Sequence, residues 1–279
     1  MRDGIGNEWS IDAPVILLGR GGSGTRMLSE IARGLGIFLG NHVNATGDSV
    51  EWVATLYELA IENLAVDVQS VPEQEACWRQ RLQRLAADVL AVDGRRASDP
   101  WGWKLPETML GLGPILRAFP AARVVHLVRH PVASALRRTH MTSRMDNPIG
   151  QAVLPVAYRF CGLDPQRIGD DDVHLHNAAT WAVQIAGVLD VIRVQEPRVL
   201  QIAYEDMCRD PRGTQVALAT FLGLDVPAPS IVPDVDRARL NDGAGCDARA
   251  QQVWSICGTI AGALGYDRDG SYRRQVMLA

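Results

Sequence analysis

The sequence predicts an α/β protein of three layers, in which helices cover both faces of a mostly parallel central sheet. Short apolar runs rich in β-branched residues alternate with longer segments of helical spacing, the pattern of a parallel sheet with crossover helices. The predicted strands are residues 15–18, 101–104, 123–128 and 198–203. The 279 residues are 47% hydrophobic and 22% charged, which is ordinary for a globular protein, and we expect a single domain over 1–279.

The first strand leads into a glycine-rich turn and then into a helix. Four glycines allow this turn to bend sharply and to point its amides inward: Gly19, Gly21, Gly22 and Gly24. Amides that open onto a helix N-terminus favour negative charge, so we predict an anion-binding loop. The stretch Ser23-Gly24-Thr25-Arg26 lacks the lysine of a nucleoside triphosphatase loop, and a tight turn without a ligand is the alternative.

Helical patterns and turn residues account for most of the remaining chain. Helices are predicted over 51–68, 74–92, 107–119, 173–195, 211–222 and 247–264, with a polar turn over 93–100 and a further helix starting at Pro131. Residues 142–172 contain several Pro, Gly and Asp residues and only weak periodicity. We expect a surface insertion or lid in this segment, with a disordered loop as an equal alternative.

Composition limits the classes of partner. The net charge is −4 and the basic residues are scattered, which argues against a nucleic-acid surface. No stretch approaches the roughly 20 apolar residues of a membrane helix. The five cysteines are widely spaced, and together with an N-terminus that lacks a signal-peptide pattern they predict a reducing cytoplasm.

A second cluster of basic residues lies at the carboxyl end of the third predicted strand. Arg129 follows that strand, and Ser134, Arg137 and Arg138 are placed on the next helix. Ligands of parallel sheets bind at the carboxyl ends of the strands, so we interpret this array as a second phosphate site. Arginines that face solvent or pair with acidic residues are the alternative.

In this order, the motifs resemble the sulfotransferase family that uses 3′-phosphoadenosine 5′-phosphosulfate (PAPS), which has a variant P-loop fold. The resemblance covers most of the chain and is carried by residues 19–26, Trp103-Lys104-Leu-Pro106, Arg129-His-Pro, and Tyr204 to Pro211 before a helix that ends Phe221-Leu-Gly-Leu224. It implies that the first loop binds the 5′-phosphosulfate and that Arg129 binds the 3′-phosphate. The loop residues so implied are Arg20, Gly21, Gly22, Ser23, Gly24, Thr25 and Arg26.

One departure from the family pattern concerns the charge of the loop. Gly22 stands where the family has a basic residue, so the positive charge near the bridging oxygen is expected from Arg20, Arg26 or Lys104. Lys104 is the favoured candidate because two nearby tryptophans suggest a sheltered pocket, with an exposed lysine at a strand end as the alternative. Such a charge would stabilise the transferring group electrostatically.

A second departure concerns the 3′-phosphate. The family's serine lies eight residues after the arginine, where this chain has Arg137, and Ser134 lies about one turn earlier. We expect Arg129 with Arg137 or Ser134 to bind this phosphate, since a guanidinium donates in a bidentate manner. The glycine- and lysine-rich segment that covers the cofactor in some relatives is missing. Arg237 and Arg239 either take its place or are surface charges.

The candidate bases follow the first helix. Glu51 and Asp48 are preferred over His42, because some relatives place a carboxylate there, although each of the three has the alternative of capping or facing water. The spacing of His174 and His176 does not put them on one helical face, and we expect no metal. Tyr204 is expected to contact the nucleotide or order the loop.

We therefore expect a PAPS-dependent sulfotransferase that acts on a hydroxyl or amine of a small-molecule or carbohydrate acceptor and releases adenosine 3′,5′-bisphosphate (PAP). A P-loop phosphotransferase is disfavoured by the missing lysine and by the lack of a clear magnesium carboxylate. A catalytically silent nucleotide-binding protein is the third hypothesis, because of Gly22 and the shifted serine. Met141, Met145 and Trp181 line an acceptor pocket or belong to the core.

Overall fold

A parallel sheet forms the centre of the protein. The computed structural model describes residues 9–65, 72–92, 98–137, 139–228 and 247–273. In this part of the chain the sheet has four strands in the order β2-β1-β3-β4. The strands are β1 (Val15–Leu18), β2 (Gly102–Lys104), β3 (Arg123–Val128) and β4 (Arg198–Ala203). Because β1 lies between β2 and β3, the glycine turn that follows it is flanked by the ends of both neighbours.

Helices connect the strands and cover the sheet. They are α1 (Thr25–Gly34), α2 (Val53–Ala65), α3 (Pro72–Ala91), α4 (Leu112–Ala118), α5 (Pro131–Ala135), α6 (Pro148–Phe160), α7 (Val173–Gln195), α8 (Tyr204–Arg209), α9 (Pro211–Leu222) and α10 (Ala248–Ala263). Short 3₁₀ helices cover Val50–Trp52, Pro106–Leu110, Met141–Ser143 and Pro165–Gly169. None of the described helices is long and apolar enough to span a bilayer.

The two faces of the sheet carry two separate apolar cores. On β1, Ile16 and Leu18 point into a core shared with α3, α4, α7 and α10, whereas Val15 and Leu17 point into a core shared with α1, α8 and α9. Successive residues of a strand face opposite sides, so a run that is apolar at every position is buried on both faces. The three-layer α/β fold with a parallel sheet is confirmed.

Two predicted boundaries need correction. α5 ends at Ala135, so Arg137 lies in the turn after the helix rather than on it, and Arg138 lies outside the described residues. The predicted helix over 107–119 is divided into a 3₁₀ helix and α4, which Gly111 separates.

The segment 142–172 is largely helical, so the alternative of a disordered loop is wrong. α6 buries Ile149, Val153, Ala157 and Tyr158 in a third apolar cluster with α2 and α7. Pro148 begins this helix and Pro155 lies inside it. In a sequence, a proline usually indicates that a helix ends or is interrupted. That the segment acts as a lid stays a prediction.

His126 on β3 makes stability depend on pH. Its ring is fully buried, and this burial lowers the pKa to about 4, against a smaller opposing effect of Gln201. Below pH about 6.5 the unfolded chain binds a proton at His126 that the folded chain does not bind until pH about 4. We therefore expect His126 to remove about 2 kcal/mol of stability between pH 7 and 5.

Urea denaturation at both pH values measures this effect. The His126→Gln variant lacks the titrating ring, so its free energy of unfolding is expected to fall less than that of the parent protein over the same range. Equal losses in the two proteins would contradict the assignment to His126.

Candidate active site

The glycine turn joins β1 to α1 and presents backbone amides at the helix N-terminus. Gly22 and Gly24 have positive φ values of 91° and 95°, which other residues rarely adopt. A β-carbon at Gly24 would overlap the Tyr204 ring, whereas one at Gly22 would meet no atom within 4 Å. α1 has no acidic residue in its first turn and no side-chain cap. The open side of the turn therefore lies at Gly22, beside amides to which a negative charge is favourable.

Replacement of Gly24 by alanine is expected to destabilise the protein by about 2 kcal/mol or more. The positive φ accounts for about 1–2 kcal/mol, and the overlap with Tyr204 adds to it. As a matched control, Gly187→Ala inside α7 meets no atom within 4 Å and is expected to gain about 0.5–1 kcal/mol. Urea denaturation of both variants checks the pair, and similar effects of the two substitutions would contradict the account.

Arg20 lies beneath the glycine turn and is completely buried. Its Nη2 donates to Asn177 Oδ1 at 2.9 Å and to Ser143 Oγ at 3.0 Å, and Nη1 lies 3.4 Å from the Gly21 carbonyl oxygen. Burial lowers its pKa to about 10. These partners are all neutral, so the structure places an incompletely compensated positive charge under the turn while tying the turn to α7.

Arg26 has the opposite environment. Its side chain is 66% exposed on α1, where Nε lies 3.7 Å from Glu30 Oε1. An exposed ion pair of this kind contributes little to stability. Of the three candidate cations for the loop, Arg26 is thus the one that faces solvent.

Lys104, at the end of β2, is a buried cation with a carboxylate partner. Its side chain is 2% exposed, and Nζ lies 2.6 Å from Asp48 Oδ1 and 2.9 Å from the Thr46 carbonyl oxygen. Lys104 is in register with Leu17 of β1, which places it beside the start of the glycine turn. The structure thus brings together two residues predicted separately, Lys104 and Asp48.

This ion pair changes the protonation of both partners. Burial alone would raise the pKa of Asp48, but the charge of Lys104 and hydrogen bonds from Lys104, Thr46 and Asn44 bring it below its ordinary value. Burial lowers the pKa of Lys104, and the charge of Asp48 opposes this change. A carboxylate with a lowered pKa is a weak proton acceptor, so Asp48 is better suited to holding Lys104 than to acting as a base.

Glu51 and His42 form a local turn. Glu51 Oε1 accepts hydrogen bonds from the backbone amides of Asn41 at 2.7 Å and His42 at 2.8 Å. His42 is an exposed residue. Glu51 therefore caps this turn in the structure, and its role as a base stays a prediction.

Arg129 connects the second basic cluster with the glycine turn. It is 1% exposed, its guanidinium lies 4.2 Å from the centre of the Tyr204 ring, and Nη1 lies 3.3 Å from the Gly22 carbonyl oxygen. Ser134 on α5 is 3% exposed, and its buried Oγ has no partner among the described residues. Arg137 is exposed in the following turn. The two predicted anion sites are consequently parts of one continuous region.

The two acidic residues that follow Tyr204 make contacts within the fold. Glu205 accepts from the Tyr266 hydroxyl at 2.7 Å and from the His130 amide at 3.1 Å. Asp206 pairs with Arg209 at 3.2 Å. These contacts fix the start of α8, and with it the position of the Tyr204 ring.

The predicted acceptor-pocket residues divide into core and surface. Trp181 is fully buried in the core and donates from Nε1 to the Arg129 carbonyl oxygen at 3.3 Å. Met141 and Met145 are 40% and 46% exposed. Within the described ranges, no group of three or more His, Cys, Asp or Glu residues is arranged to hold a metal.

Sequence reasoning missed a second cluster of polar side chains beside the turn. Glu107, in the 3₁₀ helix after β2, is 3% exposed and accepts from the Tyr57 hydroxyl at 3.2 Å. His140 Nε2 lies 3.6 Å from Glu107 Oε1, and a β-carbon at Gly21 would overlap the His140 ring. A carboxylate three residues after Lys104 was visible in the sequence, but no local pattern marks His140.

The fold and the site together define an α/β protein with a glycine turn and a basic cluster at the carboxyl ends of neighbouring strands. A family model described as the sulfotransferase family matches residues 14–228. The chain belongs to the sulfotransferase family. No curated protein matches the chain.

The chain is similar to solved sulfotransferases at low sequence identity. Sulfotransferase STF9 from Mycobacterium avium is 14% identical, with 92% of this chain and 78% of that chain covered and a TM-score of 0.52. A sulfotransferase from Alicyclobacillus acidocaldarius is 17% identical, with 88% and 95% covered and a TM-score of 0.47. The sulfotransferase domain of the Synechococcus PCC 7002 olefin synthase is 20% identical, with 84% and 78% covered and a TM-score of 0.42.

Proposed function

We propose that the protein transfers a sulfuryl group from PAPS to a hydroxyl or amine of a small-molecule or carbohydrate acceptor. The observation that carries the proposal is the contact between the two basic regions, in which Arg129 Nη1 lies 3.3 Å from the carbonyl oxygen of Gly22. A donor with anionic groups on both the 3′ and the 5′ oxygen of its ribose needs two anion sites at one edge of the sheet. Membership of the sulfotransferase family supports the reaction type.

The side chains present fit such a donor. The amides of the glycine turn and the hydroxyls of Ser23 and Thr25 are suited to the 5′-phosphosulfate. Arg129 and Ser134 are suited to the 3′-phosphate, because the buried Ser134 hydroxyl has no partner among the described residues and lies on α5, the helix that starts just after Arg129. Arg137, exposed nearby, is the more peripheral candidate for that phosphate.

Lys104 is the cation that we assign to the transferring group. When bound, PAPS supplies the sulfuryl group and a phosphate leaving group. Lys104 stabilises the negative charge that develops between them, Asp48 holds the ammonium group in place, and Arg20 adds positive charge from beneath the turn. None of these roles requires a metal.

The acceptor and the compartment complete the proposal. Met141 and Met145 offer exposed apolar surface close in sequence to His140, and they are suited to the non-reacting part of a small acceptor. Four cysteines in the described part of the chain are free thiols, which supports a reducing cytoplasm. We propose no nucleic-acid or membrane partner, on the grounds of composition given above.

A second candidate function is nucleotide binding without catalysis. It is favoured by Gly22, where the loop has open space in place of a basic side chain. This candidate predicts tight PAP binding without transfer of sulfate.

Calorimetry and a transfer assay separate these functions. We expect PAP to bind more tightly than ATP with magnesium, and radiolabelled PAPS to transfer sulfate to at least one of phenol, 2-phenylethanol and methyl glucoside. Preference for ATP with magnesium would favour a phosphotransferase. PAP binding without transfer to any acceptor would favour the silent protein.

A further inference from the structure

We propose that a cavity beside the glycine turn binds an oxyanion group carried by the acceptor, of the carboxylate, sulfate or phosphate type. The inference rests on the proposed sulfuryl transfer and adds the chemical class of the acceptor. Its basis is a cavity of about 170 Å³ that two arginines line, Arg137 and Arg249.

The cavity lies where three helices meet. Arg137 belongs to the turn after α5, His174 to the first turn of α7 and Arg249 to the first turn of α10, and all three residues line the cavity. These segments are distant in sequence, and no motif indicates that they meet. The tertiary fold therefore brings two cations to one place.

The cavity adjoins the glycine turn. Thr139 lines it, and the next residue, His140, packs so closely on Gly21 that a β-carbon there would overlap the ring. Asn177 also lines the cavity, and its Oδ1 accepts from Nη2 of Arg20, the cation beneath the turn, at 2.9 Å. An acceptor whose hydroxyl faces the transferring group can therefore extend its other end towards this cavity.

The charges around the cavity favour an anion. Arg137 and Arg249 are exposed residues, and within the described ranges neither guanidinium has a hydrogen-bond or ion-pair partner. Asp172, the acid among the lining residues, has a side chain that is 81% exposed and lies 3.9 Å from Nδ1 of His174. α7 begins at Val173 without a side-chain cap, so its first amides add to the attraction for negative charge. A planar guanidinium binds a carboxylate or phosphate through two parallel hydrogen bonds.

Hydrogen bonds hold the walls of the cavity in place. His174 Nε2 lies 2.8 Å from Gln252 Oε1, which joins α7 to α10. Asn177 Nδ2 donates to the Ala135 carbonyl oxygen at 2.8 Å, which joins α7 to α5. His174 and Asn177 are both buried. Walls that are fixed before a ligand arrives reduce the entropy lost on binding.

The size of the cavity limits its occupant. Its volume of about 170 Å³ is close to that of a cavity of about 150 Å³ that holds one benzene molecule, whereas sites for drug-sized ligands start at about 300 Å³. An oxyanion group with a few further atoms fits, and a nucleoside does not. Arg129 and Ser134, the residues assigned to the 3′-phosphate, are not part of its lining. Arg137 is the peripheral candidate for that phosphate, so Arg249 is the residue that distinguishes the two sites.

The test compares acids with their methyl esters as acceptors for the full chain. The acids are 6-hydroxyhexanoate, 8-hydroxyoctanoate and 10-hydroxydecanoate, so that the distance between hydroxyl and carboxylate varies. Each ester has the same hydroxyl and the same chain but no charge. We expect kcat/KM for at least one acid to exceed that for its ester by about 10-fold or more, the effect of a charge-assisted hydrogen bond. Misfolding lowers both values equally and leaves their ratio unchanged.

Substitutions of Arg249 test whether the cavity causes this preference. Arg249→Ala is expected to lower the ratio of acid to ester about 10-fold, because one charge-assisted contact is lost. Arg249→Glu is expected to reverse the preference, since a carboxylate then meets a like charge. Arg193→Ala is the matched control, because this arginine is 73% exposed near the other end of α7 and pairs with Asp190. Its ratio is expected to equal that of the parent protein.

Inorganic phosphate is the probe for a free ion as the occupant, titrated by calorimetry into the PAP-saturated protein. Phosphate binding that Arg249→Glu abolishes, without a preference for any acid, would assign the cavity to a free ion and overturn the proposal. A preference that Arg249→Glu leaves intact also overturns it. A parent protein that transfers sulfate to the esters and prefers no acid overturns this inference alone. One that binds no PAP, or transfers sulfate to no acceptor, overturns the proposed function and this inference with it.

Discussion

Replacement of Arg129 by alanine is expected to lower the affinity for PAP by about 100-fold. A buried guanidinium bonded to a phosphate contributes about 3 kcal/mol when the charge-assisted bonds are bidentate. Arg129 is 1% exposed, and it is positioned by the Tyr204 ring and by the Gly22 carbonyl. Isothermal titration calorimetry with PAP measures the change.

Three further variants and one control test whether this result is specific. Arg129→Lys keeps the charge but loses the planar fork and the stacking on Tyr204, so we expect an intermediate loss. Ser134→Ala is expected to weaken binding and Arg137→Ala to weaken it less, because only the Ser134 hydroxyl is buried. Arg198→Ala, at the opposite end of the sheet, serves as the control. Unchanged affinity in Arg129→Ala would show that the 3′-phosphate binds elsewhere.

Replacement of Lys104 by methionine is expected to slow sulfuryl transfer by about 100- to 1,000-fold. Loss of one preorganised donor to the transition state has an effect of about this size in other enzymes. Methionine retains much of the buried volume, and the affinity for PAP is expected to change far less than kcat. Steady-state kinetics combined with calorimetry measures the two quantities.

The loss of the ion pair between Lys104 and Asp48 requires a separate control. Lys104→Met leaves Asp48 without the ion pair at 2.6 Å, which destabilises the fold independently of catalysis. In the double variant with Asp48→Asn this unpaired charge is removed, so we expect stability to recover while the rate stays low. Recovery of the rate in the double variant would mean that Lys104 acts on structure alone.

Local signals in the sequence predicted the framework of the fold well. The runs at 15–18, 123–128 and 198–203 are strands as predicted, because strands that are largely buried on both faces are mostly apolar. The helix over 173–195 also has its predicted bounds. The sequence did not predict α6 because this helix contains a proline. Proline breaks most helices, but it is tolerated in this buried helix.

The positions of the site residues could be predicted only where those residues lie close to one another, or close to a strand, along the chain. The glycine turn and Arg129 follow strands, and their place at the sheet edge follows from parallel topology. The pairing of Lys104 with Asp48 and the approach of His140 to Glu107 depend on contacts between distant segments, which no local pattern encodes. The contact of Glu51 with the Asn41 amide joins residues ten positions apart, and the sequence offered it only as one alternative.

The burial of Lys104 also offers a measure of how often the site opens. Lys104 is the only lysine in the sequence, so an amine-acylating reagent has a single ε-amine to modify. At 2% exposure, and held by Asp48 and Thr46, this amine reacts only during excursions that break both contacts. The rate of labelling at residue 104, followed by mass spectrometry, therefore reports the opening kinetics of the site, and occupancy by PAP is expected to slow it.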